Sequence, residues 1–441
     1  MMKRLVSAVV AVAFLALMPA AAQAVAIERV VSPAGIEAWL VRESAVPLVA
    51  MNFSFRGGSS QDTDDKAGAG SLMTNMLDEG AGELDSRTFH ERLESRAIEM
   101  NFSISRDYTY GSLRVLNENR AEAVDLLRLA LNQPRFDAEP LERVRGQVMA
   151  ILRRESTNPN TIAGLQWWKT AFPGHPYGRE SKGTLETVPT LTADDLRGFA
   201  KRVFARDGLK IAIVGDIDAK AAGEMIDKVF GALPAKADLR PVPDVTIGGL
   251  GKRLITDVNV PQAVVIFGGP GLARKDKDFM AGYVANHILG GGSFSSRLYR
   301  EVREKRGLAY GVNTSLAWFA HAAVLIGSTQ VRADRTGDAL TIITEEVKKM
   351  AEGGPTADEL AKAKSYLKGS YVLGLDTSSK IAAQLLQIQN DDLGMDYMTR
   401  RDAMIDAVTL DDVKRVSKRL LSQGLLVTIA GRPAGVTAIG Q

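Results

Sequence analysis

The sequence predicts an α+β protein of two homologous lobes, each a mostly antiparallel β-sheet packed with helices. Three observations predict it: a long-period internal duplication, strand runs alternating with amphipathic helices in both copies, and an ordinary globular composition. The duplication is the strongest of the three. Val46-Pro47-Leu48-Val49-Ala50-Met51-Asn52-Phe53, followed by Arg56-Gly57-Gly58, recurs about 210–220 residues later as Val260-Pro261-Gln262-Ala263-Val264-Val265-Ile266-Phe267 with Gly268-Gly269-Pro270. Each copy reads as an apolar strand ending in a glycine turn.

The elements that follow keep the same order. Residues 69–77 read as a helix stopped at Gly80, and residues 281–289 as its repeat stopped at Gly290. Further on, Leu191-Thr192-Ala193-Asp194-Asp195-Leu196 pairs with Val408-Thr409-Leu410-Asp411-Asp412-Val413, and Thr192 and Thr409 are natural N-caps. A strand closes each copy, at residues 209–214 before Gly215 and at residues 425–430 before Gly431. Between these markers lie strands such as residues 323–330 and helices such as residues 338–352. The latter puts Leu340, Ile343, Val347 and Met350 on one face, which reads as core. The expected organisation is a signal peptide at 1–24, a first lobe at 25–235, a Pro-containing linker at 236–250 and a second lobe at 251–441.

With 441 residues, 45% hydrophobic and 24% charged, the chain is long and apolar enough for two cored lobes, which excludes a disordered or fibrous protein. The net charge of +3 is spread over interleaved acids and bases, so no basic patch calls for nucleic acid. Lys3 and Arg4, the apolar run at 5–17 and Ala22-Gln23-Ala24 form a signal-peptide pattern, with the mature chain starting near Val25. The run is shorter than the ~20 residues that cross a bilayer, so the expectation is a periplasmic or otherwise exported protein with no membrane span after cleavage. The absence of cysteine removes disulfides and thiolate ligands.

The second-lobe stretch Arg297-Leu298-Tyr299-Arg300-Glu301-Val302-Arg303-Glu304-Lys305-Arg306-Gly307-Leu308-Ala309-Tyr310 resembles the pitrilysin, insulinase and mitochondrial processing peptidase family of inverted zinc peptidases. The turn His175-Pro176-Tyr177-Gly178 and the duplication extend the resemblance over essentially the whole mature chain. In that family an Arg and a Tyr seven positions apart reach the active site; the resemblance places those roles on Arg303 and Tyr310. A guanidinium fork can hold a peptide carbonyl or carboxylate, and a phenol can donate to an oxyanion. The competing reading makes both half-buried residues bonded to local backbone.

Active members carry His-x-x-Glu-His on a first-lobe helix, two histidines holding zinc, the Glu activating water and a distant Glu completing the set. Registered on Gly68 and Met76-Leu77, the resemblance puts Ser71, Thr74 and Asn75 where the first His, the Glu and the second His belong. Ile151, within residues 147–152, falls at the third ligand, with Glu155 displaced by one turn. These degenerate positions imply no metal in this chain, zinc being expected in a partner subunit. The four histidines, His90, His175, His287 and His321, show no ligand spacing; His287 is the repeat-equivalent of Asn75 but lacks the neighbours a zinc helix needs.

The resemblance therefore implies the non-zinc-binding subunit of a heteromeric periplasmic zinc metallopeptidase. It would contribute substrate binding and the Arg and Tyr to a homologous subunit carrying His-x-x-Glu-His, and no autonomous activity is expected. Gly290-Gly291-Gly292 resembles a shortened form of the glycine-rich loop with which the non-catalytic mitochondrial subunit handles peptide substrates; an ordinary helix cap and turn is the other reading. That run lacks the Gly-Lys-Ser/Thr of a phosphate loop. The alternative function is a catalytically inert structural or peptide-binding protein of the same fold. A hydrolase using Ser71 as nucleophile lacks a nearby histidine base in the sequence.

Overall fold

The computed structural model describes residues 26–440; the signal-peptide segment lies outside the described residues. The first lobe carries β1 (Ile27–Val31), β2 (Glu37–Arg42), β3 (Leu48–Arg56), a small hairpin of β4 (Gly80–Ala81) and β5 (Leu84–Asp85), then β6 (Glu99–Ile104), β7 (Tyr108–Leu116) and β8 (Lys210–Gly215). The second carries β9 (Arg253–Thr256), β10 (Gln262–Pro270), β11 (Ala309–Trp318), β12 (Ala323–Arg332) and β13 (Leu426–Ala430).

The two sheets repeat one topology. The first runs β1-β2-β8-β3-β7-β6, parallel only between β2 and β8; the second, read from its other end, runs β9-β13-β10-β12-β11, parallel only between β9 and β13. Matching β2 with β9, β8 with β13, β3 with β10, β7 with β12 and β6 with β11 preserves both order and sense, and β1 is the extra strand of the first lobe. The N-caps are also duplicated: Thr192 and Thr409 each form a capping box, with Asp195 and Asp412 returning the bond to the cap amide.

Central strands β3 and β10 are apolar nearly throughout because both faces of their sheets are covered. The second cover comes from the opposite lobe. Val49, Met51, Phe53, Ile211 and Ile213 pack into the first-lobe core, whereas Trp39, Val41, Ala212 and Val214 pack into the second. The second-lobe helix Ser378–Asn390 lies on β8 and β3, and the first-lobe helix Pro159–Ala171 lies on β13 and β10. Hydrogen bonds seal the exchange. Gln389 Nε2 donates to the Ile211 carbonyl at 2.9 Å, Trp167 Nε1 to the Leu426 carbonyl at 3.2 Å, and Thr428 Oγ1 to the Ala163 carbonyl at 2.7 Å. Each sheet thus depends on a helix of the other lobe for one of its faces.

The segment between the lobes is pinned along its length. The Arg240 amide donates to Gln61 Oε1 at 2.7 Å, the Val245 amide to the His321 carbonyl at 2.9 Å and the Gly248 amide to the Ala171 carbonyl at 2.8 Å. Among the described residues no helix is long and apolar enough to cross a membrane.

Candidate functional site

The first-lobe helix expected over 69–77 spans only Ala69–Thr74. It starts at Gly68, whose φ of 95° and whose Cβ position 2.6 Å from the Lys182 carbonyl both require glycine. The Asp62 carboxylate caps its orphan amides, accepting from Gly68 N and Gly70 N at 3.0 Å each. Burial pushes the Asp62 carboxyl up to about 6 despite those two bonds. Beyond Thr74 the chain turns, with the Thr74 hydroxyl donating to the Ser71 carbonyl at 2.9 Å and the Met76 amide to the Met73 carbonyl at 3.0 Å.

This helix packs on β6 and on the helix Ala138–Glu155, so the frame brings together the segments bearing the degenerate positions. The side chains do not fit zinc. Ser71 is half-buried, Thr74 is buried, Asn75 is exposed and Ile151 is 37% exposed, and together they present hydroxyls, an amide and an alkyl group. Glu155 is engaged by Lys182 Nζ at 2.6 Å. The nearby buried Glu79 accepts from Ser86 Oγ at 2.5 Å and from Arg143. Among the described residues no three His, Cys, Asp or Glu side chains group to hold a metal.

The Arg and Tyr of the second lobe sit on an unusual backbone. Residues Tyr299–Glu304 form a wide π-helical turn, and the chain then enters β11. Pairing with β12 shifts between Ala309, opposite Val331, and Val312, opposite Thr329, so Tyr310 and Gly311 together face Gln330 alone. This bulge turns Tyr310 outward, leaving it 86% exposed. The Arg303 guanidinium stands 4.5 Å from the Tyr310 ring centroid and 4.9 Å from that of Tyr299. Phe294, 72% exposed, meets Tyr299 edge-on at 5.0 Å and extends the stack.

Neither polar end of the pair is bonded to local backbone: among the described residues the Arg303 guanidinium and the Tyr310 hydroxyl have no hydrogen-bond or ion-pair partner. The neighbouring acid, Glu301, is occupied by Lys305 at 2.7 Å and Arg306 at 2.8 Å. Burial opposes its ionisation, yet those two bonds hold its carboxyl down to about 2. Sequence reasoning missed Tyr299 and Phe294. The i,i+4 spacing of Tyr299 and Arg303 was the available signal.

The three glycines are packed. Gly290 and Gly292 are buried, and Cβ atoms there would lie 2.6 Å from Thr314 Oγ1 and 2.8 Å from the His287 carbonyl; one on exposed Gly291 would lie 2.6 Å from Asn286 Nδ2. The run closes a π-helical turn over His287–Gly291 in which the Gly292 amide donates to the His287 carbonyl at 2.9 Å. His287 is buried and stacked on Tyr366 at 5.0 Å, and burial lowers its pKa. His175 and His321 belong to the lobe junction. The Tyr177 amide donates to His175 Nδ1 at 3.1 Å, the Tyr177 hydroxyl to Asp107 Oδ1 at 2.5 Å, and the His321 amide to the Tyr177 hydroxyl at 3.1 Å. Burial and then the Asp107 charge push the Tyr177 phenol upward, so it stays a neutral donor.

The duplicated two-lobed α+β fold, with no metal-ligand group at the zinc-helix position among the described residues, is that of a homologue of two-lobed zinc peptidases. The chain belongs to peptidase family M16: residues 40–184 match the family described as Insulinase (Peptidase family M16) and residues 190–367 match the Peptidase M16 inactive domain. It is 30% identical to the non-peptidase homolog YmxG of Helicobacter pylori, over 76% of this chain and 77% of that protein. It is 29% identical to an uncharacterized zinc protease of Streptomyces coelicolor, over 92% of this chain and 89% of that one. The crystal structure of a peptidase M16 inactive domain from Pseudomonas fluorescens superposes with a TM-score of 0.86 at 26% identity, covering 94% of this chain and 100% of that chain.

Proposed function

We propose that this chain is the exported, non-zinc-binding subunit of a heteromeric zinc metallopeptidase, supplying Arg303 and Tyr310 to the active site of a homologous zinc-bearing subunit. One observation carries the reading. The protein holds a cation, with no counter-ion among the described residues, between two tyrosine rings and turns one of those rings into solvent, while the positions that align with zinc ligands bear Ser71, Asn75 and Ile151. An unpaired guanidinium beside an exposed phenol is a donor set awaiting an acceptor from outside the chain. A peptide carbonyl provides one in the ground state, and the oxyanion of the tetrahedral intermediate a stronger one.

In this arrangement the partner's zinc would supply the activated water. Arg303 holds the peptide, Tyr310 donates to the developing oxyanion, and the exposed Gly291, Ser293, Phe294 and Ser295 border the bound chain. The test is reconstitution with a zinc-bearing homologous subunit. Tyr310→Phe keeps the ring and removes one donor, so assembly should survive while turnover falls on the order of 10²- to 10³-fold. Arg303→Ala should act more on KM, and Ser71→Ala should leave turnover unchanged. Intact turnover in Tyr310→Phe, or its loss in Ser71→Ala, refutes the assignment.

A second reading, an inert binding protein of the same fold, is favoured by the relative whose name calls it a non-peptidase homolog. It predicts that no zinc-bearing subunit co-purifies with this chain.

A further inference from the structure

The seam between the lobes holds a cleft that the peptidase reading does not use. Its main cavity, about 660 Å³, is walled by Tyr108 and Tyr110 of the first lobe and by Trp318 and Phe319 of the second. Arg274, Trp318, Gln387 and Asp391 also border a side cavity of about 210 Å³ that reaches Tyr371. Aromatic walls around a few polar groups, at this size, are the usual make-up of a small-ligand site.

The polar groups show what is missing. Two buried polar atoms of the cleft, Asn390 Nδ2 and the Tyr371 hydroxyl, have no partner among the described residues. The Asn390 oxygen accepts from Ser54 Oγ at 2.8 Å, which fixes the amide and turns its NH₂ toward the Tyr110 hydroxyl. Arg274 is only 10% exposed and stacks 4.1 Å from the Phe279 ring centroid. Its Nη2 donates to the Tyr397 hydroxyl at 2.7 Å and its Nε stands 3.7 Å from Asp391, while Nη1 has no partner among the described residues. The cleft's own acids are occupied. Asp391 Oδ1 accepts from Trp318 Nε1 at 2.9 Å, and Asp107 accepts from the Tyr177 hydroxyl at 2.5 Å and the Ala320 amide at 2.9 Å.

Asn390 Nδ2 and the Tyr371 hydroxyl are both sealed from solvent, so the donor that the cleft itself offers is Arg274 Nη1, set beside the aromatic walls. We propose that the interlobe cleft binds a carboxylate carried on an aromatic or large apolar body, as at the carboxyl end of a short peptide. Arg274 holds the carboxylate, and the body lies between Tyr108, Tyr110 and Trp318. The site does not depend on pairing with a zinc subunit.

Titration calorimetry on the purified chain tests it with three probes: Ala-Ala-Phe, its C-terminal amide and free phenylalanine. Ala-Ala-Phe should bind about tenfold or more tightly than its amide, since a charged acceptor is replaced by a neutral one. Free phenylalanine binding as tightly as the tripeptide assigns the site to the amino-acid end alone; weaker binding assigns it to a peptide. Asn390→Asp is isosteric, keeps the acceptor for Ser54 and sets a like charge against the ligand. It should cut the affinity of the acid about tenfold or more and spare the amide. Should that variant not fold, as judged by its thermal melt, Tyr110→Ser removes one wall and should weaken Ala-Ala-Phe by a similar factor. The proposal is overturned if neither Ala-Ala-Phe nor phenylalanine binds, if acid and amide bind equally, or if the folded variant binds the acid as wild type does.

Discussion

The carboxylate that caps the helix Ala69–Thr74 should make stability fall as pH rises. Asp62 is 5% exposed, and burial raises its carboxyl from 3.8 to about 6. In the unfolded chain it ionises near its ordinary value, so over this window the folded state binds more protons and folding takes one up. Its contribution is therefore most favourable below about pH 4, declines as pH climbs through 4 to 6, and levels off above. At about 1.4 kcal/mol per pKa unit the whole window is worth about 3 kcal/mol, of which about 2 kcal/mol falls between pH 4.5 and 7.5. Asp62→Asn removes the titration while keeping one acceptor for the Gly68 and Gly70 amides. Urea unfolding of both proteins at pH 4.5 and 7.5 gives the answer by difference, which cancels every other titrating group. Wild type should lose about 2 kcal/mol more than the variant across that interval. Equal losses within ~0.5 kcal/mol would mean that Asp62 is solvated in the folded protein and that the cap is not the buried carboxylate described here.

Other expectations concern the metal positions and the packing. The purified chain should carry no stoichiometric zinc after chelator washing, and the combination Ser71→His, Thr74→Glu, Asn75→His and Ile151→Glu should take up one equivalent by elemental analysis, because the supporting helices remain in contact. Trp167→Ala empties a fully buried site and strips the Leu426 carbonyl of its donor; chemical denaturation should show a loss of about 3–5 kcal/mol in one transition that includes both lobes. Gly290→Ala forces a methyl to within 2.6 Å of Thr314 Oγ1 and should cost about 1–3 kcal/mol by the same assay.

What the sequence disclosed was local or repeated. Thr192 and Thr409 could be read as caps because their Asp partners lie three residues on. The duplication was legible because both copies keep the same glycine stops, and the shared strand order shows that it is a duplication of topology. The first-lobe helix runs shorter than its apolar pattern because the chain leaves the helix after Thr74, through a short-range turn from the Met76 amide to Met73 that no hydrophobic period records. The helix exchange was invisible for a different reason. Gln389 and Ile211 lie 178 positions apart, and an apolar stripe does not say which sheet it will cover.

The outward turn of Tyr310 belongs to this second class. A strand pattern alone assigns each residue to one face or the other by alternation, and only the register against β12 reveals that two residues of β11 share one partner. The bulge frees Tyr310 from that alternation, and Tyr299, four residues before Arg303, supplies the other ring that holds the guanidinium. The degenerate zinc helix makes the opposite choice, its Thr74 hydroxyl satisfied within its own turn and its Leu72 and Met73 committed to the core. One site of the duplicated fold has closed on itself while the other keeps donors at the surface with no partner among the described residues, and that asymmetry is what the proposed completion of another chain's active site requires.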